Sequence, residues 1–187
     1  GHIMARPKEF KREELLKKVI PLFWKKGFAD TSLSELERAS GVNKSGLYSE
    51  FTDKNDLFLE SLSFYLKNNG VKELLAREPL GVANIREFLR MSKSGPGPRG
   101  CFAVNCLRES SVIPKKAGGL IANHLTQVQR LLRNNIETIA SKQQAASLSD
   151  MILTFNAGLC LESSFAELVS VDSKIDKFLN LLFSERS

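Results

Sequence analysis

Apolar side chains recur along this chain at intervals of three and four residues, with polar residues between them. That spacing places the apolar residues on one face of an α-helix, whereas a half-buried strand would show strict alternation. The pattern returns in several separate segments, so it predicts an all-α protein. The positions that carry it are Leu15, Leu16, Val19, Ile20 and Phe23, then Leu57, Phe58, Leu62 and Tyr65, and later Leu120, Leu125, Val128, Leu131, Leu132, Ile136 and Ile139.

The beginning of the chain contains the boundary signals of short helices. A first helix over about residues 11–26 should end at Gly27, because glycine suits the left-handed position that follows a helix. Ser32 and Glu35 are spaced as a capping box, which predicts the start of a second helix there. That helix should end before Gly41, which forms a tight turn.

Asn43 can cap a third helix that reaches Phe51, and Asp53 can cap a fourth. Two short helices joined by a glycine-containing turn are typical of a helix-turn-helix. We therefore predict an N-terminal three-helix unit with an arm at 1–54 and a second helical unit at 55–187. The later helices are expected at about residues 54–77, 82–94, 101–113, 117–141, 147–170 and 173–185, with a Gly- and Pro-rich linker at 94–100.

The composition is that of an ordinary globular protein, with 187 residues of which 42% are hydrophobic and 26% charged. A chain of this length can bury a core without disulfides or metal ions. No apolar run approaches the ~18 residues of a membrane span. Gly1, His2 and Ile3 ahead of Met4 are typical of an expression-vector remnant, with no signal region behind them. We expect a cytoplasmic protein without a membrane partner.

The cysteines and histidines give little support for metal binding or catalysis. Cys101, Cys106 and Cys160 show no C-x-x-C spacing, and His124 is the only histidine outside the vector-like segment. A single histidine without a nearby nucleophile motif offers no catalytic triad, and no acid–base pair stands out. We therefore expect no metal site, no cofactor and no enzymatic activity.

Charge is distributed unevenly along the chain. The net charge is +6, and the basic excess lies before residue 143, whereas 143–187 is acidic and rich in apolar residues. A basic portion is expected to face a polyanion, and the apolar end is expected to serve packing or self-association.

The third predicted helix carries the residues expected to face nucleic acid. Leu47 and Phe51 are four residues apart and should point inward, which leaves the opposite face exposed. Small residues there would let the helix enter a major groove, where lysine and tyrosine can donate to phosphates or base edges. The predicted contacts are Thr31, Ser32, Asn43, Lys44, Ser45, Gly46, Tyr48, Ser49 and Lys54, together with a basic arm that includes Arg6 and Lys8.

Each of these residues also has an ordinary structural role open to it. Lys44 and Lys54 can be solvated surface charges, and Tyr48 can pack against the first helix. Ser32 can be only a helix cap, and Thr31 only a turn residue.

Between residues 12 and 60, twelve single residues or short groups of residues form a pattern of fixed order and spacing. They are Leu15-Leu16, Leu22-Phe23, Lys26-Gly27-Phe28, Thr31-Ser32, Leu36, Ala39, Gly41-Val42, Lys44, Leu47-Tyr48, Phe51, Lys54 and Leu57. In order and spacing this segment resembles the TetR/AcrR family of bacterial transcription regulators. Lys18, Pro21 and Glu50 depart from the family pattern, which bears on base preference and not on the fold. The resemblance implies a helix-turn-helix domain followed by a helical domain for effector binding and dimerisation.

The last two predicted helices carry long apolar stripes. A two-fold dimer needs a self-complementary apolar face, and the resemblance implies a four-helix bundle between two copies at this end. The alternative is that the stripes belong to the core of one chain. The predicted dimer residues are Phe155, Leu159, Phe165, Phe178 and Leu182.

The resemblance also implies a hydrophobic pocket in the second unit for an unidentified small-molecule effector. Ordinary core packing is the alternative for every residue placed there. The predicted lining residues are Phe88, Cys101, Phe102, Asn105, His124 and Phe155.

Cys101 is also a candidate for a reactive, oxidant-sensing thiol. Residues 99–105 are similar to a Gly-Cys-Leu-x-Val-Asn segment in one branch of the family, some of whose members respond to oxidants or electrophiles. A helix N-terminus and the neighbouring Arg99 would favour the reactive thiolate. The alternative is a buried cysteine that packs as a small apolar side chain.

These observations predict a dimeric transcription regulator, a repressor that binds double-stranded DNA at a palindromic operator through residues 31–54. A small molecule or a thiol modification would release it by changing the spacing of the two DNA-binding units, with the fourth helix as the lever. A helical protein-interaction module that has lost DNA binding is the alternative from another class, and the acidic Glu50 favours it.

Overall fold

The computed structural model describes residues 8–93, 100–165 and 171–183, and these ranges contain α-helices and no strand. The predicted all-α class is confirmed. Arg6 lies outside the described residues, as do the side chains of Lys8 and Phe165. The helices are α1 (Lys8–Lys26), α2 (Leu33–Ser40), α3 (Lys44–Glu50), α4 (Lys54–Asn68), α5 (Val71–Leu75), α6 (Val82–Arg90), α7 (Phe102–Leu107), α8 (Lys115–Ile136), α9 (Lys142–Phe165) and α10 (Val171–Phe183).

The caps predicted around α2 and α3 are present. The Ser32 hydroxyl accepts from the N–H of Glu35, and the Glu35 carboxylate accepts from the N–H of Ser32 at 3.0 Å. Gly41 follows α2 with φ of 72°, a left-handed conformation that glycine adopts without strain. Oδ1 of Asn43 accepts from the N–H of Gly46 at 2.9 Å and starts α3. Residues close together in sequence therefore determine where the helices of the helix-turn-helix begin and end.

The fourth helix is shorter than the periodicity predicts. It ends at Asn68, and Gly70 then adopts φ of 77° before the short α5 begins at Val71. The side chain of Asn69 accepts from the N–H of Val71 at 3.1 Å, which stabilises this break. The expected helix to residue 77 is therefore wrong, because an Asn-Gly turn interrupts an apolar pattern that continues beyond it.

Buried apolar residues form two clusters. The first cluster joins α1, α2, α3 and α4, and it also includes Phe102 and Cys106 of α7 and Ile121 of α8. The second cluster joins α5, α6, α8, α9 and α10. Helix α8 contributes to both clusters, and it packs against α4, α5, α6 and α9. The core of the N-terminal unit thus continues past residue 54 into α4, α7 and α8.

Within the described ranges, none of the helices has the length and apolar character needed to cross a membrane.

Candidate nucleic-acid interface and internal cavity

Helix α3 presents a polar face with small side chains. Leu47 and Phe51 are buried, as the sequence predicts, and anchor the helix to the first core. Lys44, Ser45 and Ser49 are exposed on the other side. Ser49 donates from its hydroxyl to the carbonyl of Gly46 at 2.8 Å. Low side-chain bulk along this face would let the helix backbone approach a partner closely.

Two predicted contact residues on α3 have additional neighbours. A Cβ on Gly46 would lie 2.4 Å from Cγ1 of Val42, so glycine is needed for the close approach of α3 to its own turn. Tyr48 is half-buried and packs against the first core, which leaves part of the side chain accessible.

Glu50, the acidic residue on α3, is engaged by Arg12 of α1. Nη1 of Arg12 donates to the Glu50 carbonyl at 2.5 Å and lies 4.0 Å from its carboxylate, and Nη2 lies 3.4 Å from Glu60. The guanidinium also lies over the Phe51 ring, 4.3 Å from its centroid. The Arg12 guanidinium therefore offsets the negative charge of Glu50, which was the support for a protein-interaction module without DNA binding.

The two predicted contact residues in the turn before α2 differ in exposure. Ser32 is exposed and caps α2. Thr31 is 0% exposed, and its hydroxyl donates to the carbonyl of Gly27 at 2.6 Å. A side chain without exposed surface cannot reach a duplex, so Thr31 is a turn residue, and its assignment to the DNA surface is corrected.

Lys54 is half-buried at the start of α4. Its ammonium lies 4.6 Å from the centroid of the Phe28 ring, a cation–π contact. Burial lowers the pKa of Lys54, while the nearby Glu109 and Asp30 act in the opposite direction. Part of the Lys54 side chain therefore packs within the chain, and the rest is accessible to a phosphate.

Glu109 connects the second unit to the first. Its carboxylate accepts from the N–H of Phe28 at 2.7 Å and from the N–H of Ala29 at 3.0 Å. A Cβ on Gly27, whose φ is 86°, would lie 2.3 Å from Oε2 of Glu109. The segment after α7 thus holds the turn between α1 and α2 at close range.

A cavity of about 220 Å³ lies between the two clusters. Among the predicted lining residues, Phe88, Cys101 and His124 do line it. Phe102 instead packs in the first core against Phe58, with ring centroids 5.8 Å apart. Its place in the pocket is corrected, because the α7 face that carries it turns away from the cavity.

Asn105 and Phe155 also lie away from the cavity lining. Nδ2 of Asn105 donates to the carbonyl of Trp24 at 3.3 Å, so this side chain joins α7 to α1. Phe155 stacks on Phe178 of α10, with ring centroids 3.9 Å apart. Both pocket assignments are corrected, because each side chain already has a partner on another helix.

The three cysteines differ in their surroundings. Cys101 is partly exposed, lines the cavity and accepts a hydrogen bond from the Tyr65 hydroxyl at 3.6 Å. Burial raises the pKa of Cys106 to about 12 and raises the pKa of Cys160 further still. Burial also raises the pKa of Tyr65, so its hydroxyl stays protonated and able to donate. Cys101 is the most accessible of the three thiols.

Only some of the dimer residues predicted on α9 and α10 have surface accessible to a second chain. Leu159 is 2% exposed within the second core, so it cannot form a contact with another chain, and its assignment is corrected. Phe155, Phe178 and Leu182 are half-buried and retain some accessible surface. The most exposed large apolar side chains on these helices are Met151 at 49%, Leu161 at 36% and Leu181 at 84%.

Comparison with known proteins gives similarities to a family model, to a curated relative and to solved structures. Residues 15–61 match the model of bacterial regulatory proteins of the tetR family. The transcriptional repressor ComR of Escherichia coli (strain K12) is 30% identical over 148 residues, which cover 75% of this chain and 69% of ComR. The chain belongs to the TetR family. It is therefore a DNA-binding transcriptional regulator, as the resemblance implies.

Solved structures extend the similarity of this TetR-family chain over nearly its whole length. A cysteine mutant of the regulator CifR, complexed with 26 bp double-strand operator DNA, has a TM-score of 0.76 and 23% identity, covering 97% of this chain and 100% of CifR. The reduced form of NemR of E. coli has a TM-score of 0.69 and 22% identity, covering 90% of this chain and 96% of NemR. At these identities the likeness establishes the fold alone.

Sequence reasoning about this TetR-family chain missed several residues of the site. Tyr65 and Cys160 line the cavity, yet helical periodicity marks such residues only as core. Arg12 and Glu109 act across 38 and 81 positions of sequence, and nothing in a single sequence reveals partners that distant. In the described ranges no three His, Cys, Asp or Glu residues are close enough to hold a metal ion.

Proposed function

We propose that this chain is a transcriptional repressor that acts in the cytoplasm, binds a palindromic operator as a homodimer, and is released when a small molecule occupies its cavity. The observation that supports DNA contact through α3 is its exposed face of Lys44, Ser45 and Ser49 above a buried Leu47. The other proposed contacts are Asn43, which caps α3, Gly46 within α3, and Ser32, which caps α2.

The proposed dimer uses the exposed side of α9 and α10. Met151, Leu161 and Leu181 provide apolar surface there, and Gly158 between the first two is exposed and lacks a side chain, which would let two helices approach closely. Two DNA-binding units related by a two-fold axis would face half-sites about 34 Å apart or a multiple of that distance.

The proposed release works through α7. Cys101, Val104 and Leu107 line the cavity, whereas Phe102 and Asn105 contact the first core or α1. Glu109 follows in the same segment and holds the turn before α2. A ligand that displaces α7 would therefore shift the DNA-binding unit, provided that it binds the displaced state more tightly.

The experiment selects duplexes from a random pool with the purified protein and then measures affinity by fluorescence anisotropy. Selected sequences should contain an inverted repeat, and log affinity should fall linearly with log salt as phosphate counterions are released. A pool that yields no repeat, together with affinity that does not change with salt, would contradict the proposal.

A second candidate function is a thiol response through Cys101. The observation that favours it is the hydrogen bond from Tyr65 to Cys101 Sγ at the cavity. An electron-poor alkene such as N-ethylmaleimide would add to Cys101: the sulfur–carbon bond forms as the π bond of the alkene breaks, and the thiol proton passes to the other alkene carbon. Modification should release the operator from the wild type but not from a Cys101→Ser variant. Equal release from both proteins would exclude this function.

A further inference from the structure

His124 is the unusual polar group of the cavity. It is 8% exposed, it lines the cavity, and its Nδ1 is buried without a hydrogen-bond partner in the described part of the chain. Three other polar side chains of the lining already have a partner: the Tyr65 hydroxyl donates to Cys101 Sγ, Asn69 Oδ1 accepts from the N–H of Val71, and the Ser92 hydroxyl donates to the carbonyl of Leu89. His124 is thus a buried polar group of the lining with unused hydrogen-bonding capacity.

The charges around His124 are of one sign. The described lining of the cavity contains no Asp, Glu, Lys or Arg. His124 also lines a second cleft of about 210 Å³, which contains Lys67 and Lys72 and, in its described lining, no acidic side chain. Burial lowers the pKa of His124, and the positive charge of Lys72 lowers it further. The free imidazole is therefore neutral near pH 7 and lies in a positive field.

We infer that the cavity binds a small organic acid, with its apolar part against Phe88 and Val128 and its carboxylate beside the imidazole of His124. This inference rests on the proposed function, in which the cavity holds the releasing ligand. A cationic ligand in the cavity would be repelled by Lys72, which lines the neighbouring cleft, and the described linings of the two cavities contain no acidic side chain to offset that repulsion. A pure hydrocarbon would leave the buried imidazole unpaired.

The cavity volume limits the size of the acid. A dry apolar cavity of about 150 Å³ accepts benzene, so one of about 220 Å³ accepts an aromatic ring with a small substituent, on the order of ten non-hydrogen atoms. Benzoate has this size and charge. Its ring can pack against Phe88 and Leu153, which line the same cavity.

Binding of a carboxylate should be coupled to proton uptake. A negative charge next to the imidazole favours its protonated form, so the pKa of His124 rises on binding. The other titratable groups that line the two cavities are Tyr65, Cys101, Cys160, Lys67 and Lys72. None of them is a carboxylate that would compete with the ligand for the charged imidazole.

The first experiment compares benzoate, benzamide and benzylamine by isothermal titration calorimetry without DNA. Benzoate should bind more tightly than its neutral and cationic analogues, and its affinity should increase about tenfold between pH 8 and pH 6, the change for one unit of pKa. Proton uptake should be visible as a dependence of the binding enthalpy on buffer. Equal affinity of benzoate and benzamide, or no binding of benzoate, would overturn the inference.

The second experiment tests the residues. His124→Gln keeps a polar side chain that cannot take up a proton, so benzoate should bind at least about tenfold more weakly and without the pH dependence. Lys72→Gln should weaken the binding of benzoate but not that of benzamide. Asn134→Ala, on an exposed residue of α8 that lines neither cavity, serves as the control. Unchanged benzoate affinity in His124→Gln, with the fold confirmed by circular dichroism, would overturn the inference.

A third measurement separates this inference from the proposed function. Benzoate that binds with His124 dependence but leaves operator affinity unchanged would support the ligand class and contradict ligand release. A protein that binds a selected operator but shows no preference for carboxylates would support DNA binding and overturn the ligand class.

Discussion

Oε2 of Glu109 accepts a hydrogen bond from the backbone N–H of Phe28 at 2.7 Å, which joins the segment after α7 to the turn before α2. This contact connects a helix that lines the cavity to the helix-turn-helix. In the proposed release, this contact gives a route from the cavity to the helix-turn-helix that does not pass through α4.

Glu109→Ala should remove this connection. Two backbone donors would lose a charged acceptor, so the free energy of unfolding should fall by about 1–2 kcal/mol in urea titrations. The ratio of operator affinities with and without ligand should also move towards one. Ser110→Ala, which changes an exposed neighbour, is the control. Unaltered coupling in Glu109→Ala would show that the signal travels by another route, such as α4.

Arg12 should matter because it offsets the charge of Glu50. Arg12→Met should weaken operator binding by exposing the carboxylate to phosphates. Its stability loss should be about 1–2 kcal/mol, because the variant loses the hydrogen bond to the Glu50 carbonyl as well as partly exposed ion pairs. Adding Glu50→Gln should restore most of the operator affinity in anisotropy measurements. Failure of the double variant to recover affinity would show that Arg12 contacts DNA itself.

Lys44 is expected to contact phosphate. Lys44→Ala should lower affinity for all duplexes by a similar factor and reduce the slope of log affinity against log salt by about one. Lys142→Ala at the start of α9 removes an equal charge far along the chain and should leave the slope unchanged. The same slope in both variants would place Lys44 away from the phosphates.

The prediction for Glu35 concerns stability in acid. The Lys26 ammonium, 2.5 Å away, and the capping bonds of Ser32 lower the pKa of Glu35 from 4.5 to about 2. A carboxyl group whose pKa is lowered by folding stabilises the folded protein at pH values above its ordinary pKa. This contribution is lost as the pH falls towards 2. Glu35→Gln should therefore lose less stability than the wild type between about pH 5 and pH 2. An identical acid titration of stability in both proteins would contradict this role; Glu13→Gln, on an exposed residue of α1, is the control.

The dimer proposal can be tested at Leu181. Because this side chain is 84% exposed, Leu181→Glu should leave the folded chain intact while converting dimers to monomers in sedimentation equilibrium. Ile139→Glu, on an exposed residue after α8, should remain dimeric. A monomeric wild type, or a Leu181→Glu variant that stays dimeric, would count against a dimer through α9 and α10.

The sequence predicts the helix-turn-helix well because local chemistry determines it. Ser32, Gly41 and Asn43 act within three or four residues of their own positions, so their roles can be read without tertiary information. The cavity is harder to predict. Phe102 and Val104 are both buried on α7, but only Val104 faces the cavity, and helix rotation depends on packing against other helices.

The same limit explains the error at Leu159. Leu159 and Phe155 share an apolar stripe on α9, yet Leu159 is buried in the second core while Phe155 stacks on Phe178 near the surface. Periodicity identifies the apolar face of a helix but does not divide it between the chain's own core and a second copy.

The most direct test of the account compares the duplexes selected by the wild type with those selected by Ser45→Ala and Ser49→Ala. If α3 lies in a major groove, each substitution should change the preferred base at one symmetric pair of operator positions, with smaller changes elsewhere. Selection of the same sequence with the same affinity by all three proteins would contradict DNA recognition through α3.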